Sequence, residues 1–339
     1  MPICHKSGIF FIFLLWIHSL SWIKSHCTTN KHFKYLHNMI GIIILNYKTW
    51  EKTIACISSI NNTYLQQKQI VVVDNASPNE SYERLQSEYA TAHDVTIIKT
   101  ESNKGFASGN NFGFDYLIHT YPDIEEIIIT NNDVIFCPDS IQKLVTSFSL
   151  FPDVVMTAPS IYDPQGHRTN KPWKKEPSIK QILGFKNINE CLYEWDEIKE
   201  DMPVYMVSGC CFAVNAQKFE KIGRLDEKTF LYNEEHIISH IIKENGLSII
   251  FCPDANVIHE HGITTGKSNI FVDKEYSKSS LYFLYKYKGV NKFMIYLISL
   301  FYRLRIILKL CLRKYTGKYP LIPSLVEISE YRRKLLQTT

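Results

Sequence analysis

The sequence predicts an α/β fold with a mostly parallel sheet, helices on both faces, and a basic amphipathic helical segment at its C-terminal end. Three observations carry this expectation. β-branched apolar runs alternate with helix-period segments from residue 40 to about residue 150, the runs stop in Asn- and Asp-rich turns, and basic residues gather after residue 286.

Residues 40–45 are continuously apolar, the pattern of a strand buried on both faces. Trp50, Ile54 and Ile57 then recur at helical spacing. A second strand, residues 70–73, stops at Asp74-Asn75-Ala76-Ser77-Pro78, a turn composition. Residues 95–98 form a third strand, residues 106–118 a helix, and residues 126–130 a fourth strand ending in Asn131-Asn132-Asp133. Pro138 opens a further helix, where its missing N–H costs nothing. Residues 160–203 show no period and read as a long loop or small insertion. Beyond them lie an apolar stretch interrupted by Ser208-Gly209, a short helix ending at Gly223, and a helix running to Gly246.

Composition narrows the class. The 339 residues contain 38 Lys+Arg and 34 Asp+Glu, 45% hydrophobic residues, and few Gly or Pro, which excludes collagen-like and wholly disordered chains. Nine scattered cysteines without a C-x-x-C pair read as free thiols, with neither a disulfide scaffold nor a zinc site. The net charge of +4 hides an asymmetry: residues 286–339 hold twelve basic residues and two acids, a charge of +10, leaving about −6 on the rest. On a helical wheel Phe293, Leu297, Leu300, Phe301, Leu304, Leu308 and Cys311 share one side, and Lys292, Arg303, Arg305, Lys309, Arg313 and Lys314 the other. Such a helix lies in a membrane surface or packs on the rest of the chain with a solvated basic face. No nucleic-acid recognition motif accompanies the charge, so anionic lipid is the expected partner. Near the N-terminus, residues 9–23 form an apolar run shorter than the roughly 20 residues that cross a bilayer. Residues 1–38 therefore read as an anchor, a signal-like segment, or a stretch preceding a true start at Met39.

Neither G-x-G-x-x-G nor G-x-x-x-x-G-K-[ST] occurs, which argues against a dinucleotide dehydrogenase or a P-loop enzyme. Polar strand ends offer another way to hold a nucleotide: Asn46-Tyr47, Asp74-Asn75 and Asn131-Asn132-Asp133 follow strands that can share one sheet edge. Asp133 supplies an oxygen ligand suited to Mg²⁺ or Mn²⁺, or caps a turn. Glu234-Glu235 opens a helix, where an acid caps the free N–H groups or serves as a general base. His259 reads as a metal ligand or a packed, hydrogen-bonded histidine, with His261 as its neighbouring competitor.

The ordered motifs Ile-Ile-Leu-Asn-Tyr (43–47), Val-Val-Asp-Asn-Ala-Ser (72–77), Asn-Lys-Gly-Phe-Ala-Ser-Gly-Asn-Asn-Phe-Gly (103–113), Thr-Asn-Asn-Asp-Val (130–134), Ser-Gly-Cys-Cys-Phe (208–212), Phe-Leu-Tyr-Asn-Glu-Glu (230–235) and Val-Ile-His (257–259) resemble the family 2 glycosyltransferases, in particular the bacterial rhamnosyltransferase-like branch. The resemblance implies a Rossmann-like GT-A domain over residues 40–285, with a nucleotide-binding half at 40–150 and an acceptor half at 151–285. It implies a UDP- or dTDP-sugar donor and a saccharide or lipid-linked glycan acceptor. The implied setting is the inner face of the cytoplasmic membrane. Asn46, Tyr47, Asp74, Asn75, Lys104, Gly105, Asn110 and Asn132 would line the nucleotide pocket. Asp133, Asn131 and His259 would hold Mn²⁺ or Mg²⁺, and Glu235, with Glu234 as competitor, would be the base. Two departures stand out. Asn131 replaces the first Asp of the family's D-x-D pair, which predicts looser metal binding. The family's Glu-Asp-x-Asp-Leu appears as Glu-Glu-His-Ile-Ile, which leaves Ile237 without the second acid. A nucleotidyltransferase and a non-catalytic nucleotide-sugar-binding protein are the alternatives.

Overall fold

The computed structural model describes residues 39–260, 270–312 and 321–337. The expectations for residues 1–38 and for His261 lie outside the described residues, as do those for the side chains of Lys309, Cys311, Arg313 and Lys314. The element order is β1 (Ile40–Asn46), α1 (Trp50–Asn61), β2 (Lys68–Asp74), α2 (Ser81–Glu88), β3 (Val95–Lys99), α3 (Phe106–Thr120), β4 (Glu126–Asn131), β5 (Val134–Phe136), α4 (Ser140–Leu150), β6 (Val154–Tyr162) and β7 (Arg168–Thr169). It continues with α5 (Ile179–Ile182), β8 (Met202–Val204), β9 (Cys211–Asn215), α6 (Ala216–Lys221), α7 (Glu234–Glu244), β10 (Ser248–His259), α8 (Ile270–Lys286), α9 (Lys292–Leu312) and α10 (Leu321–Gln337).

One sheet runs through the molecule in the order β3-β2-β1-β4-β9-β6-β10-β5, with β7 beside β6 and β8 beside β10. The pairs β2–β3, β1–β2, β1–β4 and β6–β10 are parallel. β9 is antiparallel to both neighbours, β4 and β6, so the expected parallel sheet is mixed at its centre. Because side chains alternate along a strand, Ile40, Ile42 and Ile44 enter one apolar core with α1 and α4, while Ile43 enters the other with α3 and α7. Helices thus cover both faces. Helix α3 lies close because Gly113 faces Ile43 and Val73, where a Cβ would stand 2.8 Å from each.

Three expectations need correction. Helix α4 begins at Ser140, two residues after Pro138. His259 ends a strand of 12 residues rather than a short one, because β10 bends past a register shift and continues to the sheet edge. The C-terminal segment is not a simple two-sided tail. Helices α8, α9 and α10 build a third apolar core with Ile182, Leu183 and Ile237, and α9 contributes Ile295, Ile298, Tyr302 and Ile306 to it. These residues lie opposite the predicted apolar side, of which Phe301 is partly buried while Phe293, Leu297, Leu300, Leu304 and Leu308 are exposed. The wheel missed this because α9 carries apolar residues on both sides.

Overpacking at Gly113 is expected to destabilise the fold by about 1–3 kcal/mol. Urea denaturation of Gly113→Ala should show a lower midpoint at an unchanged slope; an unchanged midpoint would contradict this account of the α3–sheet contact.

Candidate active site

The carboxyl ends of β1, β2, β4, β6 and β10 meet at one edge of the sheet, together with the start of β9. In register, Asn46 pairs with Asp74, Leu45 with Asn131, and His259 with Val134. Two classes of polar residue stand there, and motif order alone does not separate them.

The first class is a buried brace. The Asp74 carboxylate accepts from the Asn46 amide at 2.7 Å and from the Ser77 N–H at 2.8 Å. Asn46 Oδ1 in turn accepts from Thr53 at 3.0 Å and from Asn132 Nδ2 at 3.1 Å, and Asn132 also reaches Thr49 at 2.8 Å. Asn75 donates to the Gly105 carbonyl at 3.0 Å and accepts from Thr100 at 3.1 Å. Asn46 and Asp74 are fully inaccessible to water, and Asn75 and Asn132 nearly so. In this arrangement their shared work is to hold three strand ends in register. Asn110 is also buried; its amide donates to the Phe106 carbonyl within α3.

The second class is open. Tyr47 is half-buried with the Lys48 ammonium 4.6 Å from its ring centre, and Lys104 is exposed. Asn131 and Asp133 are partly accessible. Asp133 Oδ1 lies 3.0 Å from His259 Nε2, and the Asp133 carbonyl accepts the Glu260 N–H at 3.0 Å. Burial alone would lower the His259 imidazole, but hydrogen bonds to Asp133 and Cys210 outweigh it and hold it up to about 10. Among the described residues no group of three or more His, Cys, Asp or Glu side chains forms a ready metal cage. With a divalent cation taking the place of the His259 proton, one carboxylate and one neutral imidazole would suit an ion that keeps most of its ligands as water. Asn131 adds a neutral amide, and its own N–H is committed to the Cys210 carbonyl at 2.8 Å.

Glu234 and Glu235 open α7 after two successive residues with left-handed backbone, Tyr232 at φ 73° and Asn233 at φ 66°. Such conformations cost about 1–2 kcal/mol each. Helix α8 holds them in place: Ser279 donates to the Leu231 carbonyl at 2.7 Å, and Asn233 to Ser280 at 3.2 Å. The same loop crosses Gly105, at φ 103°, where any Cβ would strike the Phe230 carbonyl. Glu234 and Glu235 line a cavity of about 10 Å³ with Phe106, Val207, Ser208 and Ile238, room for barely one water. Burial, then the neighbouring Glu235 charge, raises Glu234, and its Oε1 has no hydrogen-bond partner among the described residues. Burial also raises Glu235, against which the Gly209 N–H donates to its Oε1 at 3.2 Å.

That last contact joins the two parts of the site. Gly209 is followed by Cys210, whose carbonyl takes the Asn131 N–H and whose thiol meets His259. Two neighbouring residues therefore connect the α7 carboxylate to the Asp133–His259 pair. The motif Ser-Gly-Cys-Cys-Phe signalled this segment, but its role needed coordinates. Thr49 and Thr53, which fasten Asn132, carried no signal beyond helix-start composition. Ile237, where the family's second acid is missing, is buried in the third apolar core.

The described fold is that of a GT-A glycosyltransferase. The chain belongs to glycosyl transferase family 2, whose profile matches residues 41–223. It is 25% identical over 224 residues to the low-salt glycan biosynthesis hexosyltransferase Agl10 of Haloferax volcanii, covering 66% of this chain and 68% of that one. It is 22% identical over 261 residues to the N-acetylglucosaminyl-diphospho-decaprenol L-rhamnosyltransferase of Mycobacterium tuberculosis, covering 73% and 84%. Among solved structures, GalNAc-T7 with UDP, GalNAc and Mn²⁺ superposes at a TM-score of 0.56 and 15% identity; the match covers 85% of this chain and 59% of that one. The mannosyltransferase PcManGT of Pyrobaculum calidifontis, with GDP-Man and Mn²⁺, superposes at 0.51 and 13% identity, covering 97% and 93%.

A Cβ at Gly209 would stand 2.7 Å from Glu235 Oε1 and 3.1 Å from its Cδ. Gly209→Ala should displace that carboxylate and lower turnover about 10²-fold with little change in donor KM or melting temperature. Wild-type turnover would show that the contact does not position the acid.

Proposed function

We propose that this glycosyltransferase inverts the anomeric centre of a UDP- or dTDP-sugar as it transfers the sugar to a saccharide or lipid-linked glycan acceptor. The setting we infer is surface polysaccharide synthesis at the inner face of the cytoplasmic membrane. Residues 40–150 would bind the nucleotide, with Tyr47 and Lys104 reaching it from the open side of the brace. Residues 151–285 would shape the acceptor side.

The observation that carries the reading is the tether of Glu235 to Gly209, beside the residue that meets Asn131 and His259. Two adjacent carboxyl groups in a small cavity share one charge more easily than two. The Gly209 N–H favours that charge on Glu235, and Glu234 keeps a proton in the drier position. Glu235 then takes the proton from the acceptor hydroxyl, and its raised affinity for protons suits that task near neutral pH. The acceptor oxygen forms a bond to the anomeric carbon as the bond to the diphosphate oxygen breaks, so the electron pair and the negative charge leave with the diphosphate. A Mn²⁺ or Mg²⁺ ion, when bound by Asp133 and His259, supplies neutralisation of that departing charge. The two structural neighbours, solved with Mn²⁺ and with UDP or GDP-Man, support a nucleotide-linked donor and a divalent metal. The polyprenol-linked acceptor in the mycobacterial relative's name supports a lipid-linked acceptor.

Glu235→Gln should lower transfer by about 10²–10⁴ while leaving the donor KM near that of the wild type. Glu234→Gln should cost much less. A Glu235→Gln protein with full turnover would overturn the assignment.

A further inference from the structure

Helix α9 presents apolar side chains in two opposite directions, and among the described residues only one has a protein partner. Ile295, Ile298, Tyr302 and Ile306 are buried against α8 and α10. Phe293, Leu297, Leu300, Leu304 and Leu308, spaced four, three, four and four residues apart, form a stripe on the other side, about 22 Å long at 1.5 Å per residue. Phe293 is 68% exposed and Leu304 54%. The stripe extends onto the acceptor half: Phe185, 66% exposed in the turn after α5, stands 5.2 Å from the Phe301 ring on α9. An unpartnered apolar stripe of this length is more than the scattered exposed residues of an ordinary surface.

We propose that this stripe, with Phe185, is a docking surface for an anionic lipid bilayer. Charge selects the occupant. Lys292 and Arg305 are exposed and Arg303 half-exposed on the flanks of the stripe, so cationic heads border the apolar face where lipid phosphates would lie; Lys186 beside Phe185 is exposed but paired with Glu190. Residues 286–339 carry +10, which opposes a second copy of this region and matches an anionic surface. Among the described residues no helix is long and apolar enough to cross a membrane, and α9 has its opposite side committed to protein. The helix therefore lies along the interface, and α5 and α9 face the bilayer together. Binding of lipid does not rest on the proposed transfer reaction; only the delivery of a lipid-linked acceptor to Glu235 does.

The test is partitioning of the full-length protein onto vesicles of phosphatidylcholine alone and of phosphatidylcholine with phosphatidylglycerol. The wild type should bind the anionic vesicles more tightly, and rising salt should weaken the binding. Leu297→Glu and Leu304→Glu should each lower the partition coefficient at least about tenfold, and Phe185→Ser should lower it less. Donor hydrolysis in solution should be unchanged in all three variants, which separates failure of docking from failure of the catalytic reading. Residues 1–38 are identical in wild type and variants, so any free energy they contribute to partitioning is common to all and cancels from the ratio of partition coefficients. Equal partitioning of wild type and both Leu variants would overturn the proposal. So would a wild-type dimer that the Leu variants convert to monomer without any vesicle binding, which would make the stripe a self-association face.

Discussion

The hydrogen bond from the Gly209 N–H to the Glu235 carboxylate is the contact on which the site depends. Sheet topology brings strand ends together, but α7 approaches from a loop and has no strand to align it. The antiparallel strand β9 supplies the connection, since it begins at the active edge and its leading residues touch both β4 and α7. A purely parallel sheet would bring only carboxyl ends to that edge. The reversal at β9 is thus part of how Glu235 is tied to the strand ends that carry Asn131 and Asp133.

The motif residues divide between those that build the edge and those that face outward from it. Asn and Asp at strand ends read as ligand groups because both types suit turns and ligands equally. Burial separates them: Asn46, Asp74 and Asn132 bond one another and Asn75 bonds Gly105 and Thr100, while Tyr47, Lys104, Asn131 and Asp133 remain open. An unsatisfied amide in this position would cost about 1–3 kcal/mol, so the network is also a stability element.

The strand–helix alternation to residue 150 was legible because the main strands are short, dense apolar runs and α1, α3 and α4 each have one apolar side. Family resemblance singled out Asp133, Glu235 and His259 as candidates, and in the structure Asp133 lies beside His259 while Glu235 is tied to the segment that touches them. What stayed hidden depended on contacts far apart in sequence. Helix α2 has few apolar residues, with only Ser81 and Leu85 buried, so its period is faint. Helix α9 has two apolar directions, and the sequence could not say which one the protein covers. The partner face was decided by Leu281, Phe283 and Leu284 of α8, and by Ile328 of α10. Ile237 shows the same effect within the site, where an acid expected from the family gives way to a residue that serves this helical core.

The central claim is that Asp133 and His259 serve a sugar diphosphate through a shared divalent cation, a few residues from the acid that starts the reaction. Calorimetric titration of UDP and dTDP into the protein, with and without Mn²⁺, tests it most directly when wild type and Asp133→Asn are compared. The account predicts that Mn²⁺ strengthens binding of one nucleotide in the wild type and that Asp133→Asn loses the gain. A gain from Mn²⁺ that persists undiminished in Asp133→Asn, or no nucleotide binding by the wild type, would contradict it.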